Sequence, residues 1–147
     1  MSGPEVHETR SVRGTLAWGR ALAERLGRGD CVALSGELGA GKTALVRGIA
    51  VGLGLGDARR VSSPTYVLVH EYAADLPIYH LDLYRMADPA VELAELGLDE
   101  MLEDGVVLIE WADRAAGALP VPRWEIDIEM TGERRRRFRA RRVPGTA

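Results

Sequence analysis

Eight consecutive residues, Gly36-Glu37-Leu38-Gly39-Ala40-Gly41-Lys42-Thr43, fit the pattern G-x-x-x-x-G-K-[ST] in full. The pattern constrains fold as much as chemistry, because it works only where a buried strand enters the loop and a helix leaves it. Both flanks meet the condition. Cys31 to Leu34 is a short apolar run bounded by turn residues, which reads as a buried strand. From Lys42 to about Leu53 the apolar residues recur at helical spacing, and glycines at 52, 54 and 56 end the run. Glycines let a backbone wrap closely enough for its N–H groups to point at phosphate oxygens. The helix that follows adds its positive N-terminal end. In that frame Glu37, Leu38, Gly39, Ala40 and Gly41 are expected to cradle a nucleotide, and Lys42 to reach its β- and γ-phosphates. The Thr43 hydroxyl is a hard oxygen suited to Mg²⁺.

The basic residues sharpen the contrast at this position. Eighteen are arginine and one, Lys42, is lysine. Arginine is a wide planar fork and lysine a slim stem with a compact charge.

A loop of this type needs a carboxylate near the metal, at the end of a neighbouring strand. Asp82 closes Ile78-Tyr79-His80-Leu81-Asp82, and Glu110 closes Val106-Val107-Leu108-Ile109-Glu110. The second run is continuously apolar, as a central strand would be. A carboxylate stranded at its end is costly unless it faces a cation or water. Glu110 is therefore favoured as the metal-side acid, directly or through water, with Asp82 positioning the attacking water or a metal-bound one. His80 shares the Asp82 face and reads as a partly buried histidine bonded to a neighbour. Arg85 is open to two readings, a phosphate contact or an ion pair with Asp82 or Asp88, of which the structural one is favoured. Trp111 follows Glu110 and either packs or covers the site. Cys31, the one cysteine, is expected to be buried and inert.

Around this centre the pattern predicts a helix over 12–27 capped by Ser11, a hairpin of strands 66–72 and 78–82, and helical pieces from Pro89 and from Leu98. Residues 112–119 read as short helical or irregular structure. The fold class expected is α/β, a three-layer P-loop domain with a mixed, mainly parallel central sheet and antiparallel hairpins added to it. A chain of 147 residues has the length of one domain, 1–147. Apolar runs of only four residues or so argue against a membrane-spanning helix, and no secretory signal is visible, so the cytoplasm is the expected compartment.

Net charge is −3, unevenly spread. Residues 134–147 carry seven arginines and no acid, and residues 1–133 carry 12 basic and 22 acidic residues. The acidic strand before the arginines offers an explanation. With a three-residue turn at 131–133, Glu129 would face Arg135, Asp127 would face Arg137 and Glu125 would face Arg139. Ile126 would then face Phe138, and Trp124 would face Ala140. Opposite charges on one face and apolar pairs on the other suit a solvated hairpin. An RNA- or partner-binding patch is the alternative.

Taken together, these segments resemble the TsaE (YjeE) family of small P-loop ATPases of bacterial tRNA threonylcarbamoyladenosine biosynthesis. The resemblance is carried by Thr15 with Gly19, Ser35 to Thr43, Arg47-Gly48, Ser63-Pro64-Thr65-Tyr66 and His80 to Arg85, and by Glu95 to Glu100 and Leu108-Ile109-Glu110-Trp111. It implies a weak ATPase using ATP and Mg²⁺. The family works with TsaD and TsaB, meeting tRNA through that complex, and sustains its transfer of threonylcarbamoyl to adenosine 37. It further implies Thr43 and Glu110 as Mg²⁺ contacts and Asp82 as important for hydrolysis. Residues near Ser11 would lie by the adenine, and the Ser63–Tyr66 loop would be a switch. Ala112 stands where the family commonly has proline. Two rivals are a small-molecule kinase on the same fold and a non-hydrolysing adaptor that binds RNA through its arginines.

Overall fold

The computed structural model describes residues 4–36, 41–61, 69–84 and 86–145. Its elements in chain order are β1 (Glu5–Thr9), α1 (Val12–Ala23), β2 (Cys31–Gly36), α2 (Lys42–Gly52), β3 (Val69–Tyr72) and β4 (Ile78–Asp82). They continue with α3 (Pro89–Glu95), α4 (Leu98–Asp104), β5 (Val106–Glu110), β6 (Arg123–Met130) and β7 (Arg136–Val143). Short 3₁₀ turns span Ala58–Arg60 and Ala112–Ala118. All the strands form one sheet in the order β1-β7-β6-β2-β5-β4-β3. The four central strands β6, β2, β5 and β4 are parallel, and antiparallel pairs close both sides.

Alternation along the central strands feeds two cores. Val32, Leu34, Leu108, Ile126 and Ile128 face α1 and α2. Cys31, Ala33, Val107 and Ile109 face α3, α4 and the 112–118 turn. The outcome is the expected three-layer α/β architecture. β2 lies between two parallel neighbours, which is why its Cys31-Val32-Ala33-Leu34 run is apolar on both faces.

Helix α1 begins where its cap predicts, with the Ser11 hydroxyl accepting from Gly14 N–H at 3.0 Å. It ends at Ala23 rather than at 27. The amides of Arg25 and Leu26 bond three residues back, to Leu22 and Ala23, and tighten the last turn out of α-geometry. α1 and α2 meet through glycine. A Cβ on Gly19 would lie 2.9 Å from the backbone of Ile49 and Leu45, and one on Gly48 would run into the Leu16 carbonyl.

Elsewhere one expected register is corrected and one strand is added. The last hairpin pairs Glu129 with Arg137, Asp127 with Arg139, Glu125 with Arg141, Ile128 with Phe138 and Ile126 with Ala140. This is two residues from the expected register. The connection is five residues, closed by Thr131 N–H to Arg135 O at 3.1 Å, and Arg136 Nη1 is wrapped by the carbonyls of Gly132, Glu133 and Arg135. A slip of two preserves the faces, so acids still oppose arginines. Second, β1 was not foreseen. Its Glu-Val-His-Glu-Thr sequence has no apolar alternation. It is held as an edge strand by β7, by Glu5–Arg25 at 2.6 Å and Glu8–Arg137 at 3.0 Å, and by a buried Thr9–Thr15 hydroxyl pair at 2.9 Å.

Candidate functional site

The site forms at the C-terminal ends of the parallel strands, where α/β sheets place their ligands. β2 delivers Gly36, whose Cβ, if it had one, would lie 2.6 Å from Ile128 O. Gly41 is the N-cap of α2 and adopts a left-handed φ of 104°. Glu37, Leu38, Gly39 and Ala40 lie outside the described residues, as do Ser63–Tyr66 and Arg85. Thr43 occupies the first turn of α2, half-buried.

Lys42 is 5% exposed. Its Nζ donates to Gly36 O at 2.9 Å and lies 3.7 Å from the centroid of the Trp111 ring. Trp111 therefore covers the lysine while also packing against the core formed by Cys31, Leu83 and Ile109, so the packing role expected for it is present. Its own backbone is left-handed, φ 57°, which is uncommon for a bulky residue. Tyr84 leans on the indole at 4.9 Å, and Arg114 ties the two segments together by donating to the carbonyls of Leu83 and Tyr84. Burial pushes the Lys42 ammonium below the ordinary lysine range, opposed by the negative charges of Glu110, Asp82 and Asp113.

Asp82 and Glu110 are register partners on β4 and β5, on the face turned to α1 and α2. Both are buried, at 8% and 3% exposure. Burial raises the Asp82 carboxyl above its usual range, against the Tyr84 N–H that bonds Oδ1 at 2.9 Å. His80 is fully buried, more so than expected, and its Nε2 bonds the Glu110 carboxylate directly. Its Nδ1 lies 3.1 Å from the Tyr72 hydroxyl, which lies 3.3 Å from His70 Nδ1. Neither His70 nor Tyr72 was singled out in the sequence. The available signal was register, since a tight 73–77 turn sets His70 opposite His80.

Ser11 lines a cavity of about 380 Å³ with Arg13, Thr15, Gly41, Ala44 and Arg136, beside the start of α2. Cys31 is fully buried and its thiol is pushed up to about 12. The arginine strand is largely paired with acids: Arg141 with Glu125, Arg137 with Glu129 at 3.6 Å, and Arg142 with Asp30 at 3.4 Å.

The donor chemistry suits a nucleotide-borne Mg²⁺. Two buried carboxylates and a half-buried hydroxyl are hard oxygen ligands beside a buried ammonium. Among the described residues no group of three or more His, Cys, Asp or Glu could hold a metal ion by itself. Phosphates and waters complete such a shell, so fewer protein ligands suffice. Among the described residues no helix is long and apolar enough to cross a membrane.

Residues 9–138 match the family model described as "TsaE: Threonylcarbamoyl adenosine biosynthesis protein TsaE". Curated relatives carry the name tRNA threonylcarbamoyladenosine biosynthesis protein TsaE. The one from Bacillus subtilis is 46% identical over 71% of this chain and 65% of its own length. Those from Streptomyces coelicolor and Treponema pallidum are 44% and 39% identical, each over 76% of this chain and over 76% and 82% of their own lengths. The crystal structure of Bacillus subtilis YdiB superposes with a TM-score of 0.75 at 33% identity, covering 95% of this chain and 86% of that one.

Proposed function

The chain belongs to the TsaE family of threonylcarbamoyl adenosine biosynthesis proteins, and we propose that it serves tRNA modification as a Mg²⁺-dependent ATP-binding protein with weak ATPase activity. The observation that carries the ATPase reading is the convergence of Lys42, Asp82 and Glu110, all buried, where β2, β4 and β5 end. Buried charges are expensive unless a counter-charge arrives. A magnesium nucleotide supplies both signs.

In this reading Lys42 leaves Gly36 O and the Trp111 face to bind the terminal phosphates. Thr43 and Glu110 would hold Mg²⁺, which when bound neutralises charge on the transferring phosphoryl group. Asp82, next to Glu110, orients the attacking water. The indole over Lys42 limits solvent there, which strengthens its electrostatic contacts. The base lies toward the Ser11–Arg136 cavity. TsaD and TsaB are the partners, tRNA is met through them, and the work is done in the cytoplasm.

The test is phosphate release from ATP with Mg²⁺, alone and with the matching TsaD–TsaB complex, using Lys42→Ala and Glu110→Ala as controls. Release that rises with the complex and is lost in both variants supports the reading. Absence of release in both conditions overturns the ATPase and leaves a nucleotide-binding switch.

A further inference from the structure

Glu110 is held by a partner that the proposed chemistry does not use. His80 Nε2 bonds one of its oxygens, and the histidine is fully buried. An ionised carboxylate only accepts, so Nε2 carries the hydrogen. On a neutral ring Nδ1 is then bare and must accept. The donor that meets it is the Tyr72 hydroxyl at 3.1 Å, and the Tyr72 oxygen can in turn accept from His70 Nδ1 at 3.3 Å.

These four residues form a line of hydrogen bonds across three strands, from β3 through β4 to β5. Register makes it possible. His70 is opposite His80 on β4, and His80 is opposite Leu108, two residues before Glu110 on the same face. Tyr72 is 5% exposed, so little water competes for its hydroxyl. Packing alone needs only its ring.

We infer that Tyr72, on the edge hairpin, is a positioning residue for Glu110: its hydroxyl fixes the tautomer and plane of His80, and His80 fixes the carboxylate. The inference rests on the reading of Glu110 as the metal-side acid. Partners in this position about a metal-ligating group commonly matter 10- to 100-fold, roughly, for metal affinity or activity. The β3–β4 hairpin is on this account part of the site as well as an edge of the sheet.

The test is Tyr72→Phe, which removes one oxygen and keeps the ring. Mn²⁺ binding to the full chain with ADP is measured by electron paramagnetic resonance, ADP binding in EDTA by calorimetry, and hydrolysis with TsaD–TsaB as kcat and KM. The expected result is Mn²⁺ affinity weaker by ~10-fold, lower kcat, and unchanged KM and metal-free ADP affinity. Unchanged Mn²⁺ affinity overturns the inference, even if thermal stability falls, because that is the mark of packing alone. Wild-type protein that binds Mn²⁺ with ADP but does not hydrolyse ATP overturns the ATPase reading, and the Mn²⁺ comparison still decides the role of Tyr72. Wild-type protein that binds no Mn²⁺ with ADP overturns both.

Discussion

Lys42 Nζ rests 3.7 Å from the centre of the Trp111 indole while donating to Gly36 O at 2.9 Å. The lysine is thus satisfied without a phosphate, by a carbonyl and an aromatic face. A desolvated cation–π contact is worth ~2 kcal/mol. A nucleotide must outbid both contacts to draw the ammonium away. The expected outcome is a change in tryptophan emission when ATP or ADP binds, absent in Trp111→Phe. Trp18 stacks on Phe138 at 4.7 Å and Trp124 lies near Arg25 and Arg142, so neither touches the lysine. A response that persists in Trp111→Phe would refute the displacement.

Glu110→Gln keeps an oxygen to accept from His80 and removes the charge. Hydrolysis should fall by about 10²–10³, the scale for losing a preorganised electrostatic group. Nucleotide affinity should change far less. Lys42→Ala should instead weaken binding itself, since its compact charge meets the phosphates. Calorimetry and phosphate release on the two variants separate these effects.

Asp82→Asn should stabilise the nucleotide-free protein at neutral pH while impairing hydrolysis. The sign follows from burial, which raises the Asp82 carboxyl above its ordinary value. A raised acid favours the folded state only while protonated. Its ionisation therefore costs stability as pH climbs through the folded value. Asparagine avoids that cost and can still accept from Tyr84 N–H. The gain in Tm over wild type should appear as pH rises from acid toward neutral, and vanish below the ordinary carboxylate range. Melting curves across pH check this.

Gly48→Ala should destabilise by about 3 kcal/mol, because the new methyl meets the Leu16 carbonyl and the Gly19 backbone, which cannot swing aside like a side chain. Denaturant unfolding measures it. By contrast Arg141→Ala, on the surface of the same protein, removes only an exposed, solvent-screened ion pair to Glu125 and should leave the unfolding midpoint nearly unchanged.

Cys31 should resist alkylation at pH 8 in the folded protein and react once it is unfolded, because burial pushes its thiol up to about 12. Mass spectrometry before and after denaturation reads the difference.

The sequence was most legible where one residue type does one job. Gly41, Lys42, the Ser11 cap, and the acids ending two strand-like runs are local signals, and the structure places Lys42, Asp82 and Glu110 together. The parallel core followed from the same apolar runs. The strand Glu5–Thr9 was illegible because its stability comes from β7 and from ion pairs rather than from its own pattern. The last hairpin was half legible: alternation determined which side chains share a face, but the turn length that sets register depends on how Arg136 gathers the carbonyls of the connection.

By itself, then, the sequence determined the strand and helix that flank residues 37–40 and the two carboxylates at the ends of β4 and β5, since backbone conformation and burial preference are written in short-range residue choice. Tertiary structure alone decided that Trp111 covers Lys42, that His80 bonds Glu110, and that Tyr72 reaches that pair from the edge of the sheet. Each of these contacts joins residues on different elements, and their geometry comes from sheet order and register, which no local pattern encodes.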